Sequence, residues 1–235
     1  MKILITGHEG FIGSNLSQYL IEKKYIVIGL DIKSGNDILT CDLPNCDLVI
    51  HLAGIGGVRE SLADPAKYWR NNVDGTRRIL EHYHDKRVLV ASSSSQYEPH
   101  LNPYAASKHV VESIPHQNAV FMRFHTVYSS APRKGMFFDK LINGTVEYIT
   151  EHSRDFIHVK DVCRAIELLI EAEFVGPIDV GTGISINMVD ICPDLPLKEF
   201  TPNERKHTRA DTTKLELLGF TCQHSVLKFI ESMRR

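Results

Sequence analysis

Short apolar runs alternating with helix-period segments predict an α/β fold, a doubly wound parallel sheet carrying a small C-terminal lobe. Runs of strand length stand at 2–6, 25–30, 37–41, 47–52, 87–92 and 119–124. Several are separated by segments of helical period, at 11–23, 65–84 and 104–114. Alternation of this kind gives parallel strands covered by helices on both faces. The third observation is local: in residues 3–13, ILITGHEGFIG, an apolar strand runs into Gly7, Gly10 and Gly13, and helix-compatible sequence follows at once.

That first turn has a physical reading. A pyrophosphate sits well on the orphan N–H groups at a helix N-terminus, where the macrodipole favours negative charge. Gly7 permits the turn, Gly10 lets the backbone approach phosphates, and Gly13 lets the helix lie close to the first strand. The next strand, Tyr25–Leu30, ends at Asp31, where a carboxylate would accept hydrogen bonds from the adenosine ribose hydroxyls. A carboxylate there repels a 2′-phosphate, so the expected cofactor is NAD rather than NADP, on a Rossmann-type sheet.

Two connections are short. Only IKSGNDILT separates Asp31 from Cys41–Asp42, too few residues for a crossover helix, and Leu43–Asp47 is a bare turn before the strand at 47–52. Helices missing from one face would bare apolar sheet, which a partner subunit is one way to cover. Beyond Thr126 the apolar pieces shorten, with a helix expected around Lys160–Ala172, a strand at Pro177–Val180 and a helix near Ser225–Met233. Residues 1–125 are therefore expected to form the NAD-binding domain, with some later segments returning to it. Residues 126–235 mainly form a smaller substrate-binding lobe over the carboxyl ends of the strands.

Composition excludes several classes. The 235 residues are 43% hydrophobic and 24% charged, ordinary for a soluble globular protein. Twenty-seven basic against 29 acidic residues leave no field for nucleic acid or an anionic membrane. No apolar run approaches the ~20 residues that span a bilayer, and the chain enters a strand without a signal peptide, so the expected location is cytoplasmic. Cys41, Cys46, Cys163, Cys192 and Cys222 are scattered and lack metal spacing, which predicts reduced structural thiols and no metal site.

The sharpest catalytic signal is Tyr104-Ala-Ala-Ser-Lys108, following Asn102-Pro103. Proline opens a helix, and residues four apart then share one face. A unit positive charge ~5 Å away at an effective dielectric of ~20 favours a phenolate by about 3 kcal/mol, roughly two pKa units. Lys108 is thereby expected to make Tyr104 a usable base while also holding ribose hydroxyls. The alternative is an aromatic and a cation on an exposed helix face. Ser92–Ser95 closes the fifth strand, where hydroxyls face the cofactor crevice and can donate to a substrate oxygen; the alternative is a polar turn.

With these motifs in order, the chain resembles the extended short-chain dehydrogenase/reductases, in their NAD-dependent nucleotide-sugar epimerase/dehydratase branch. The resemblance is carried by TGHEGFIGSNL, HLAG at His51–Gly54, VRESLADPAKYWRNNVDGT at Val58–Thr76, SSSSQY, PYAASK, RFHTVY at Arg123–Tyr128 and RDFIHVKD at Arg154–Asp161. It implies cofactor contacts at Phe11 and Ile12 beside the three glycines, at Asp42 and Leu43, and at Leu52, Ala53 and Gly54, with Asn72 in the shell beneath. It implies Ser93 as the catalytic hydroxyl, Tyr104 as the base and Lys108 as its partner. Thr126, Arg154 and Arg205 become substrate-side residues, the arginines for a sugar-nucleotide diphosphate. The alternative for Arg154 is a salt bridge with Asp155 or Asp161.

The branch narrows further by resemblance. Dehydratases of the family place Asp-Glu after the catalytic hydroxyl, and here those positions are Ser94 and Ser95, which favours a 4-epimerase acting through a transient 4-keto sugar. GGVRES and RFHTVYSSAPRKGMFF are similar to the UDP-glucuronate 4-epimerase pattern, which implies that Arg59 meets a substrate carboxylate; its alternative is a solvated arginine paired with Glu60. A keto-sugar reductase or dehydratase and a non-catalytic NAD or sugar-nucleotide binder are the competing readings. Two departures bear on them. Only EPHLNP separates Tyr97 from Tyr104, which is expected to open the site to water, and the helix after Lys108 stops at Pro115, which weakens an otherwise expected homodimer through 65–84 and 104–114.

Overall fold

The structure is a computed structural model, and it describes residues 1–233. In chain order the first half comprises β1 (Lys2–Thr6), α1 (Phe11–Glu22), β2 (Ile26–Leu30), β3 (Leu48–His51), α2 (Val58–Ala63), α3 (Pro65–Tyr68), α4 (Gly75–His82), β4 (Arg87–Ser93), α5 (Pro103–Val111) and β5 (Ala119–Phe124). There follow β6 (Thr126–Tyr128), α6 (Phe137–Ile142), β7 (Ile149–Thr150), β8 (Ser153–His158), α7 (Val159–Glu171), β9 (Gly176–Val180), β10 (Ser185–Asn187), α8 (Met188–Ile191), β11 (Leu197–Lys198), α9 (Thr213–Leu217) and α10 (Val226–Met233).

Six parallel strands form the central sheet in the order β2-β1-β3-β4-β5-β9. The registers Thr6↔Leu30 and Thr6↔His51 align the carboxyl ends of β2, β1 and β3; Ser93↔Phe124 and Phe124↔Val180 align those of β4, β5 and β9, three residues further on across His51↔Val90, at the same edge of the sheet. On one face α1 and α7 bury Leu16 and Leu20 with Val162, Ile166 and Leu169 against Ile3, Ile5 and Ile50. Truncating one of these to alanine costs about 2–5 kcal/mol. The other face packs Ile79 and Leu80 of α4 and Val111 of α5 against Leu4, Val49 and Val88.

Two expectations change here. The run at 37–41 is not a strand: Thr40 and Cys41 N–H both donate to the Asp37 carbonyl, at 2.9 and 2.7 Å, and the Asp37 carboxylate takes Leu39 N–H at 2.9 Å. With those donors turned inward, β2 becomes the sheet edge. The loop itself covers the face, burying Ile38 and Cys46, and the Arg78 guanidinium ties it down through the carbonyls of Ile38 and Cys41. The segment 65–84 is not one helix either. A π-helical stretch, Trp69–Asp74, interrupts it between α3 and α4, and its wider turn carries Asn72 into the interior.

Two later segments lie with the main sheet: β9 is its sixth strand and α7 covers its face. A separate three-stranded sheet, β10-β8-β6, is packed through Tyr128, Phe138, Phe156 and Phe229. Among the described residues no helix is long and apolar enough to cross a membrane.

Candidate active site

The glycine turn leaves β1 at the aligned edge. Gly7 has φ +72°, and a Cβ there would lie 2.7 Å from Ala53 N; one on Gly13 would lie 2.1 Å from the Gly7 carbonyl oxygen. The turn therefore closes only with glycine at both positions. Gly10 caps α1 with no side-chain acceptor, so the first-turn N–H groups face outward from the turn. Asp31, at the end of β2, is buried and accepts Glu9 N–H and Lys33 N–H at 3.0 Å each. Those two bonds leave lone pairs for hydroxyls, and the bare backbone cradle fits a dinucleotide pyrophosphate. Phe11 and Ile12 open α1, and Leu52 to Gly54 follow β3 directly across from Gly7. Asp42 is exposed beyond the turns at 37–41, while Leu43 packs on the core.

Beneath the cradle, the Asn72 side-chain oxygen accepts Ile55 N–H at 2.9 Å, and its amide donates to the Ile55 carbonyl at 3.1 Å and to the Ser107 hydroxyl at 3.0 Å. Buried His51 bridges Thr6 at 2.7 Å and Thr76 at 3.0 Å. Burial, and less so the nearby Lys108 charge, pushes its pKa down to about 3, so it is a neutral strut.

Helix α5 starts where Pro103 sits in its first turn and Asn102 caps it, the Asn102 side-chain oxygen accepting Ala105 N–H at 2.8 Å. That start places Tyr104 and Lys108 one turn apart. The Ser93 hydroxyl, which accepts Ser95 N–H at 3.1 Å, lies close enough to the Tyr104 phenol to lower its pKa. Lys108, 7% exposed, donates from Nζ to the Ala91 carbonyl at 2.8 Å and lies 3.7 Å from where a Gly54 side chain would begin. The three expected catalytic side chains are thus brought together. The expected electrostatics are not. Burial raises the Tyr104 pKa, and the Ser93 hydroxyl and the Arg133 charge partly offset it. Burial also brings Lys108 down to about 8, which the Glu112 charge opposes. Burial, and a carbonyl partner for Lys108, outweigh the simple cation–phenol attraction that spacing implies.

The ion-pair alternatives for two of the substrate-side arginines are not the pairs the structure shows. Arg154 pairs with neither Asp155 nor Asp161; its Nη2 lies 3.3 Å from a Glu204 oxygen. Arg59 faces Glu204 at 4.0 Å, not Glu60, and its side chain is 70% exposed. Arg205 donates to Glu98 and to the Ser94 carbonyl, both at 2.9 Å, with its guanidinium over the Tyr97 ring. Thr126 begins β6, half-buried, paired with Phe156. The short connection after Tyr97 is not left bare. Residues 203–205 lie on it, and Asn102 donates to the Asn203 carbonyl at 2.9 Å.

Sequence reasoning missed four residues. Glu112, four after Lys108 at the cap that ends α5, accepts Ser92 Oγ at 2.5 Å and Arg123 through both carboxylate oxygens; its i,i+4 spacing was the available signal. Tyr68 stands edge-on to Tyr104 with centroids 6.2 Å apart. Arg133 lies beside Gly56, its charge reaching Tyr104 and Tyr68. Glu204 had no sequence signal beyond adjoining Arg205.

The sequence profile of the NAD dependent epimerase/dehydratase family matches residues 3–181. The chain is 30% identical to the uncharacterized UDP-glucose epimerase YtcB of Bacillus subtilis, covering 72% of each chain. Its structure is similar to UDP-glucuronic acid 4-epimerase from Bacillus cereus, crystallised with UDP-glucuronic acid and NAD, with a TM-score of 0.83, 29% identity, and coverage of 98% of this chain and 97% of that one. A dTDP-D-glucose 4,6-dehydratase of Dictyostelium discoideum is 26% identical over 81% of this chain and 60% of its own. From the glycine cradle to the Ser93–Tyr104–Lys108 cluster, the chain belongs to the NAD-dependent nucleotide-sugar epimerase/dehydratase family.

Proposed function

We propose that the chain is a 4-epimerase of a UDP-sugar, with residues 1–125 holding NAD and 126–235 mainly supplying the substrate side. The observation that carries this is the Ser93 hydroxyl close enough to the Tyr104 phenol to lower its pKa, on the helix that buries Lys108, beside Ser94 and Ser95 where a dehydratase of the resembled pattern has two acids. NAD, when bound, exchanges hydride with the sugar carbon. Tyr104 takes the C4 hydroxyl proton and gives it back to the same oxygen, the inversion coming from hydride that would return to the other face of C4; Ser93 holds that oxygen in line. Lys108 orients the ribose from below. Water loss needs a further proton carrier on this strand end, and serines at 94 and 95 offer none near neutral pH. Arg133, the cation whose charge reaches Tyr104, is placed to meet an anionic group on the sugar, a role better suited to it than to the Glu204-facing Arg59.

The test is incubation of the NAD-loaded protein with UDP-glucose, UDP-glucuronate and their N-acetyl relatives. One C4 pair interconverts without net change in reduced cofactor. Tyr104→Phe lowers the rate about 10²–10⁴-fold while NAD binding persists. Stoichiometric consumption of NADH, or a dehydrated product, overturns the assignment.

A further inference from the structure

We infer that Glu204 is a built-in competitor for the substrate's diphosphate, and so a specificity-setting residue of the site; this rests on the nucleotide-sugar reading above. A carboxylate accepts from a guanidinium as a phosphate does, through charge-assisted bonds to planar N–H donors. One Glu204 oxygen lies 3.3 Å from Arg154 Nη2, and the other 4.0 Å from Arg59 Nε. Glu204 therefore stands between the two arginines, which come from β8 and the start of α2. Arg154 is the better anchored: its Nη1 donates to the Ser153 carbonyl at 3.0 Å and to the Lys206 carbonyl at 3.3 Å, leaving Nη2 to the carboxylate.

The carboxylate reaches this place because its own segment is docked. Asn203 receives the Asn102 amide, and Arg205 grips Glu98 and the Ser94 carbonyl. Asn102 is also the cap of α5, the helix bearing Tyr104. The segment 203–205 thus links the catalytic helix to the arginines. At 28% exposure the Glu204 side chain sits at the edge of solvent, free to swing out when a doubly charged ligand arrives. Occupation of the arginines by Glu204 lowers apparent affinity by the fraction of molecules left competent, so that only a ligand carrying more charge than one carboxylate displaces it efficiently.

The experiment titrates UDP alone, by calorimetry, into the NAD-loaded wild type and the variants Glu204→Gln, Glu204→Asp and Arg154→Gln, with NAD affinity measured in each as the check on folding. Glu204→Gln tightens UDP about fivefold to tenfold and lowers the sugar-nucleotide KM in parallel. Glu204→Asp, which keeps the charge, stays near the wild type. Arg154→Gln weakens UDP. If Glu204→Gln leaves UDP affinity unchanged or weakens it while Arg154→Gln weakens it, the competitor role falls and the nucleotide seat stands. If Arg154→Gln binds UDP as the wild type does, the seat itself is misplaced and the inference falls with it. UDP binding that follows the expected pattern in a protein that turns over no UDP-sugar sinks the epimerase assignment alone.

Discussion

The cofactor cradle and the substrate side of this site are built from different materials. The cradle is backbone: Gly7, Gly10 and Gly13 at the end of β1, Asp31 at the end of β2, and Ala53 after β3, held by strand register. The substrate side is side-chain charge, gathered from four separate segments as Arg59, Glu98, Arg154, and the neighbours Glu204 and Arg205. Backbone geometry of the first kind has one solution and tolerates no added atoms. Partly exposed ion pairs of the second kind are worth about 1 kcal/mol each and can be exchanged for a ligand.

Gly13→Ala should break the comparison hardest, because its Cβ would overlap the Gly7 carbonyl oxygen at 2.1 Å and backbone cannot yield as a side chain tip does. A stability loss of about 3 kcal/mol is expected, read as a Tm lowered by roughly 6–12 °C for a chain of this size, together with loss of NAD binding. Retained NAD affinity would show that the cradle is softer than it looks.

A pH titration separates the neutral strut of the cradle from the charged rim. His51, held down to about 3, stays unprotonated in the folded state at pH values where the unfolded chain, near 6.5, takes up a proton. Its contribution is therefore fully present above about pH 6.5 and is lost as pH falls towards 3. Between pH 7 and pH 4 the wild type should lose about 3 kcal/mol more than His51→Gln does in urea unfolding. Equal slopes would remove His51 from the acid response.

The smallest effect is expected at Arg205. Replacement by Ala removes its bonds to Glu98 and Ser94 and its place over Tyr97, a loss of about 1 kcal/mol. UDP affinity should change less than about threefold, since these donors are already engaged; a tenfold loss would move Arg205 into the nucleotide seat and sharpen the boundary between the two regions.

How much could be read beforehand follows the same division. The strand–glycine–helix unit, Asp31 and the Tyr104/Lys108 spacing depend on residues near one another in the chain, so period and motif suffice. The run at 37–41 depended on whether a further edge strand would pair beside β2 or fold under; Asp37 takes its N–H groups, and Arg78, some 40 residues away, takes its carbonyls. The π-helical turn at 69–74 likewise answers to Ile55 and Ser107.

Local sequence alone determined the parallel sheet, the dinucleotide turn and the pairing of a phenol with an ammonium one helical turn away. These follow from conformational preference and helical period, which act over a few residues. Tertiary structure decided the charge states and the arginine partners. Burial, not the neighbouring cation, governs the Tyr104 phenol, and Glu204, fifty residues beyond Arg154, reaches it only because the docked segment 203–205 carries it there. Desolvation and ion pairing depend on what surrounds a group in space, and one-dimensional spacing contains neither.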